Sequence, residues 1–402
     1  MMQIVRGTTN DNTNPRVLFA WQSPNVGDSL ETGTPPSKRQ LKGGFFQPFS
    51  ELSFEVLRPD GSTLVPSTVV DVALEANYLD PASDGGKQRI VILPFSVGAA
   101  EPVGTYTANV TFIADPDDGP AIPVQTIAVP FRVLDDGHPF VNGYAQIVDA
   151  IDQGFPINDP TPCGGYSYTQ AKQAIERASR YVEQITSRFF ENRYLVSDYD
   201  GDGGPALQID NPIIGMTDVT FTFTTFTPAD LPIEEGDLRV YNRHMRQNLT
   251  QPDDREDPRV EFLRTPNYRY PRAQLVGSVD ILSSYIGFTD SQQNVKLKGM
   301  FGYTDYDGTP FGKTPDLITE VTLRIAARYI GNLWTQIGGA GTTSSVAGPI
   351  LSEKTMDQSV TFANALSSGG GGNNAFAGVF TGDPEIDQLL ALYMLPPRFR
   401  SA

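Results

Sequence analysis

The stretch Asp198–Gly204, DYDGDGG, holds the residue types of a calcium loop. An EF-hand loop needs oxygen ligands at positions 1, 3 and 5, a glycine at 6 and a bidentate glutamate at 12. Asp198, Asp200, Asp202 and Gly203 meet the first four requirements. Position 12 is Ile209, which offers no oxygen to a hard cation. The residues that follow, PALQID, read as a strand and not as a second helix. Aspartate and glycine are turn formers, so the stretch is expected to be a tight reversal between a helix and a hairpin, without a metal.

Other reactive types are sparse. The two histidines, His138 and His244, and the single cysteine, Cys163, stand far apart in loop-like settings. A thiol nucleophile needs a base within hydrogen-bond reach and a third group to orient that base. Nothing in these surroundings suggests one. GKTP at Gly312–Pro315 lacks the upstream glycine of a phosphate-binding loop, and no GxSxG elbow is present. Carboxylates abound, but no pair stands out as an acid–base couple of a glycosidase. The expectation is no catalysis and no cofactor.

The chain has 402 residues and a net charge of −17. That balance argues against a duplex-binding surface, which needs clustered Lys and Arg. An acidic wall would instead repel DNA that slides past. A lone cysteine excludes an intramolecular disulfide and fits a reducing cytoplasm. No signal-peptide run and no membrane-length apolar stretch occurs. The sequons at Asn109 and Asn248 are therefore taken as chance matches.

The elements around these residues fall into two styles. Residues 16–136 alternate with period two. Tyr106, Ala108, Val110 and Phe112 should face one way and Thr105, Thr107, Asn109 and Thr111 the other. Ile127, Val129, Phe131 and Val133 repeat the pattern, with Pro130 predicting an edge or a bulge. ELSFEVL, TVVDVAL and RIVILPF are further strand candidates, separated by turn signals. Short strands at this spacing suggest an immunoglobulin-like sandwich, with Tyr106 resembling the tyrosine that opens a late strand of such domains. Residues 1–15 read as a tail.

Beyond residue 136 helical spacing enters. Helices are expected at about 144–153, 168–190 and 314–334, with a β-hairpin region over 205–300 in which NPIIGMTD joins the strands LQID and VTFTF. The second helix carries Ile175, Val182, Ile185 and Phe189 on one face. The third carries Leu317, Val321, Ile325 and Tyr329, with Thr314 as its cap and Pro315 at its first position. After the glycine-rich run Ser367–Asn374 a short helix is expected, capped by Asp383 and bearing Ile386, Leu389, Leu390 and Tyr393. Such a helix can dock on a partner or fold back on its own domain.

An ordered series of segments then stands out: GYAQIVDAIDQG, AIERASRYVEQITSRFFENRYL, DGDGGPALQIDNPIIGMTDV, YNRH, QPDDREDPRVEFL, NVKLKGMFGYTDYDGTPFGKTPDLI, SEKTMDQSVTF and TGDPEIDQLLALY. In this order they resemble the head-to-tail connector (adaptor) proteins of long-tailed bacteriophages, over about residues 143–393. The resemblance, which does not cover residues 1–136, implies a helical-bundle adaptor domain over 137–366 with inserted β-hairpins, then a linker and arm over 367–402; with the N-terminal all-β immunoglobulin-like sandwich read at 16–136, the expectation is a multidomain α+β chain. The resemblance implies a structural virion protein at the capsid–tail neck, made in the host cytoplasm. Copies would close a ring, usually a dodecamer, around passing double-stranded DNA bound without sequence specificity. Ile175, Val182, Ile185, Phe189, Leu317, Val321, Ile325 and Tyr329 would lie on the ring-wall helices. Asp383, Ile386, Leu389, Leu390 and Tyr393 would dock on the portal protein. A stopper or tail-completion protein is a further expected partner, and the N-terminal module would be peripheral, against the major capsid protein. No membrane is involved. The alternatives are a secreted adhesin, which lacks its export signal, and a tail-associated carbohydrate-active protein, which lacks an evident acid–base pair. A chain without residues 1–136 is expected to fold.

Overall fold

The computed structural model describes residues 2–22, 44–79, 89–114, 124–155, 157, 166–201, 203–222, 230–232, 238–242, 254–262, 288, 291–307, 309–337, 352–355, 358–361 and 384–394. The chain divides into two compact units. The first joins residues 1–136 to 191–313, and the second joins 137–190 to 314–402. Residues 137–366 are thus distributed over both.

The first unit begins with β1 (Met2–Val5), β2 (Thr9–Asn10), β3 (Leu18–Phe19), β4 (Phe49–Leu57), β5 (Thr63–Val69), β6 (Val91–Ile92), β7 (Phe95–Ser96), β8 (Gly104–Ala114) and β9 (Gln125–Leu134). One sheet has the order β1-β9-β8-β4-β5, while β2 pairs with β7 and β3 with β6. The alternation reads through directly: Tyr106, Ala108, Val110 and Phe112 are buried, as are Val129, Phe131 and Val133. The Tyr106 hydroxyl donates back to the Pro102 carbonyl at 2.8 Å. Among the described residues the opposing layer is not a second full sheet. It consists of the two short strand pairs and loops, whose Phe19, Trp21 and Phe95 rings pack on Phe49, Phe112, Phe54 and Phe131. TVVDVAL does not form the expected strand; β5 stops at Val69 and Glu75–Asn77 is a 3-10 turn. Pro130 is not on an edge strand throughout. β1 pairs with β9 from Phe131 onward, so Pro130 stands where that pairing begins. Met2–Val5, within the segment read as a tail, supply that strand.

The second half of this unit contains β10 (Arg193–Gly201), β11 (Ala206–Gln208), β12 (Ile213–Thr222), β13 (Asp230–Pro232), β14 (Leu238–Val240), β15 (Arg259–Phe262) and β16 (Ser291–Phe301). They form two sheets, β10-β16-β12-β13 and β11-β15-β14. NPIIGMTD is mostly strand rather than a connection: β12 starts at Ile213 and belongs to a different sheet from β11. The two halves share one core, because Ile214, Met300 and Phe311 join the cluster built around Phe46, Phe54 and Phe112. Main-chain bonds bind Phe46 and Gly44 to Met216, each at 2.9 Å. Gly215 and Gly44 are required there. A Cβ on Gly215 would lie 2.4 Å from the Phe46 ring, and one on Gly44 would lie 2.4 Å from Val240 Cβ.

The second unit holds α1 (Ile147–Asp152), α2 (Tyr168–Thr186), α3 (Asp316–Ile337), the hairpin β17 (Ser352–Thr355) with β18 (Gln358–Thr361), and α4 (Pro384–Ala391). A helical-bundle adaptor domain is not what the chain forms, and that expectation is corrected. Bundles need several long helices facing one another. Among the described residues only α2 and α3 exceed three turns, and strand exceeds helix along the chain. The cause lies in residues 191–313, whose Thr, Val and Ile alternation builds open sheets that share a core with residues 1–136 instead of hairpins inserted among helices.

Candidate functional site

The adaptor-like segments meet in two places. The first is in the helical unit, around Tyr144. Gly143 permits it, since a Cβ there would stand 2.5 Å from Ser179 Oγ. The Tyr144 N–H donates to that Ser179 oxygen at 3.1 Å. Its carbonyl accepts from the Thr319 hydroxyl of α3 at 3.0 Å. Its own hydroxyl donates to Glu183 at 2.7 Å and accepts from the Phe190 N–H at 3.1 Å. The rings continue the chain of contacts: Tyr144 meets Phe190 edge-on at 5.6 Å, and Phe190 meets Tyr393 edge-on at 5.5 Å. Three segments far apart in sequence are thereby tied together through aromatic pairs.

α2 starts as its sequence demands. Ser167 accepts from the Gln170 N–H and Gln170 reaches back to Ser167, a capping box. Ile175 and Val182 are buried, as expected. The helix ends at Thr186, with Ser187 left-handed at φ 56°. This break shifts the phase that follows, so Phe190 is buried while Phe189 is only half-buried; Ile185, inside the helix, is also half-buried. In α3 the buried face is also displaced. Ile318, Val321, Leu323, Ile325, Ala326 and Ile330 are buried, whereas Leu317 is 39% exposed and Tyr329 half-buried. At 100° per residue that face spans about 200°, wider than the stripe read at fourfold spacing. α3 begins one residue later than expected, with the Pro315 carbonyl accepting from Ile318 and Thr319 at 3.0 and 3.1 Å. Arg177 of α2 lies 4.5 Å over the Tyr329 ring. Burial, then Tyr329 and Asp387, hold the Tyr181 phenol above its ordinary range.

α4 is docked on α2 and α3 of its own unit. Ile386 and Leu390 are buried, Leu389 and Tyr393 are half-buried, and Leu392 is 69% exposed. Arg324 binds Glu385 at 3.0 Å and Glu320 at 2.5 Å. Asp383 lies outside the described residues, as do Cys163, His244 and the run Ser367–Asn374.

The second meeting place is in the β unit. Arg255 donates to the Thr304 carbonyl at 2.9 Å and to Asp305 at 2.8 Å, and lies 4.3 Å over the Tyr303 ring. The Tyr303 hydroxyl donates to Glu256 at 3.2 Å. Main-chain bonds between Asp305 and Lys313, both 2.8 Å, close the loop beyond. Neither Tyr144 nor Arg255 stands out from sequence. Both lie inside the adaptor-like segments, and the Gly-Tyr pair at 143–144 is the available signal of close approach.

DYDGDGG is not a single reversal. Asp198 and Asp200 belong to β10, with Asp198 opposite Lys296 and the Asp200 carboxylate accepting from the Gln293 N–H at 2.7 Å. The chain turns at Gly203, φ 78°, and Asp202 lies outside the described residues. Ile209 is buried. Among the described residues no group of three His, Cys, Asp or Glu side chains is arranged to hold a metal ion. His138 packs edge-on against Tyr168 at 4.5 Å. No helix among the described residues is long and apolar enough to cross a membrane.

No family model and no curated protein matches the chain. Among solved structures it is similar to a chain of the neck of an empty GTA particle computed with C6 symmetry. The identity is 13% over 51% of this chain and 87% of that one, and the TM-score of 0.30 is too low to define a shared fold.

Proposed function

We propose that the protein is a structural component of a phage-type particle neck, an adaptor that assembles as a ring of identical copies between the portal protein and the tail components and acts without catalysis. The observation that supports this most is the junction at Tyr144. The adaptor-like segments containing Tyr144, Phe190 and Tyr393 are the ones that pack on one another there. A series of scattered resemblances arising by chance would have no reason to converge on one contact. α2 and α3 are the candidate ring-wall helices, and α4 the candidate portal-facing element.

Charge distribution fits the role. The β unit has 35 acidic against 21 basic residues, net −14, while the helical unit has 12 against 9, net −3. A surface of that sign repels the DNA backbone and favours free passage over adhesion. Purified full-length protein, alone and with portal protein, is tested by native mass spectrometry and electron microscopy. A closed ring, bound to portal, is expected. A chain that stays monomeric and never binds portal under any condition refutes the reading.

A further inference from the structure

We infer that α4 is an exchangeable element: in the assembled ring, the α2–α3 groove of one copy accepts α4 of the next. This rests on the ring reading above.

The groove's complement is already known, because α4 fills it in this structure. The interaction is self-contained: Ile386 and Leu390 buried, Glu385 paired with Arg324 at 3.0 Å, and the Tyr393 ring against Phe190 at 5.5 Å. Glu385 itself stays 68% exposed on its side chain, so the ion pair sits at the rim. An eight-residue helix does not persist alone in water, so whichever groove receives it completes its folding. Between β18 and α4 lie residues 362–383, which include SSGGGGNN. A chain of that length spans at most about 75 Å, far more than the width of one small domain. The connection therefore does not dictate which copy α4 serves.

Exchange of an identical element is a low-cost route to association, because the interactions broken within a copy form again between copies. In a closed ring every groove is filled once and every α4 is used once. Leu392, 69% exposed after docking, remains available to a further surface.

The test uses full-length chains in a Cys163→Ser background. One carries Arg324→Cys, the other Glu385→Cys and a size tag; both positions are partly exposed, so folding is expected to survive. The two are mixed, assembled, and treated with a short bifunctional maleimide. The proposal expects a covalent pair of unequal chains as the main product in the ring fraction. The double variant on one chain, held dilute, should give an internal cross-link instead. A ring in which the mixed chains never join, while the double variant still closes internally, overturns the exchange and leaves the ring reading intact. A chain that remains monomeric at every concentration, with internal cross-links alone, overturns both.

Discussion

The junction at Tyr144 makes a sharp prediction. Tyr144→Phe removes one oxygen and keeps the ring, so the edge contact to Phe190 at 5.6 Å is retained. What disappears is the acceptor for the Phe190 N–H and the donor to Glu183. Glu183 keeps Arg180 at 2.5 Å, so its carboxylate is not abandoned. Phe190 is fully buried, so bulk water does not take the place of the lost hydroxyl. Losing these two hydrogen bonds, one of them to a carboxylate, costs about 1–3 kcal/mol. For a unit of this size that lowers the melting midpoint by roughly 3–9 °C. The assay is far-ultraviolet circular dichroism at the helical band during heating, with a urea titration as the second measure. Glu183→Gln should cost less, because the N–H of Phe190 remains satisfied. A Tyr144→Phe chain within about 0.5 kcal/mol of the parent, the usual range for an inert surface change, would refute the view that this hydroxyl holds the helices together.

Gly302→Ala should destabilise the β unit by more than about 1 kcal/mol in urea, because φ is +148° there and a Cβ would lie 2.1 Å from the Glu191 carbonyl oxygen, a backbone atom with no rotamer to escape into. Burial pushes the Tyr78 phenol from 10.0 up to about 12, so the neutral form is favoured in the folded chain. The stability this gives is complete below pH 10 and is lost as pH rises toward about 12. A 295 nm titration should show a phenol that ionises near pH 12 and that Tyr78→Phe abolishes, and an unchanged titration in Tyr78→Phe contradicts the burial argument. A chain lacking residues 1–136 should aggregate or bind a hydrophobic dye without cooperative melting, because Ile214, Met300 and Phe311 lose the core they share with Phe46. A soluble remainder that melts cooperatively would mean the two halves do not depend on each other.

The last of these reverses what the sequence suggests, and the reason is physical. Periodicity reports which face of an element is apolar, not what covers it. The strands at 104–114 and 125–134 were legible because each alternates cleanly over ten residues or more. The fusion of residues 44–47 with the strand at 213–222 was not, because the close packing at Gly44 and Gly215 leaves only a Gly-Gly pair at 43–44 and a single glycine at 215 in the sequence. Helix faces blur for a related reason. A row of side chains spaced by four drifts from the axis of a 3.6-residue helix. Leu317 stands at the end of such a row and is exposed, whereas its neighbour Ile318 is buried. The break at Ser187 similarly replaced Phe189 by Phe190, because one left-handed residue resets the phase that follows.

The same logic separates the two kinds of information in the helical unit. Caps and turns are local: Ser167 and Gln170 stand three residues apart, and their pairing follows from that spacing alone. Tyr144 works at separations of 46 residues to Phe190 and 175 to Thr319, where no window of the sequence reveals the pairing. A residue that ties distant segments constrains many positions at once. It is therefore where an ordered series of family-like segments has to meet if the series reflects one fold. The α4 groove carries this one step further. Its contacts on Ile386, Leu390 and Glu385 are specified by side chains, and a groove recognises those side chains whichever copy supplies them.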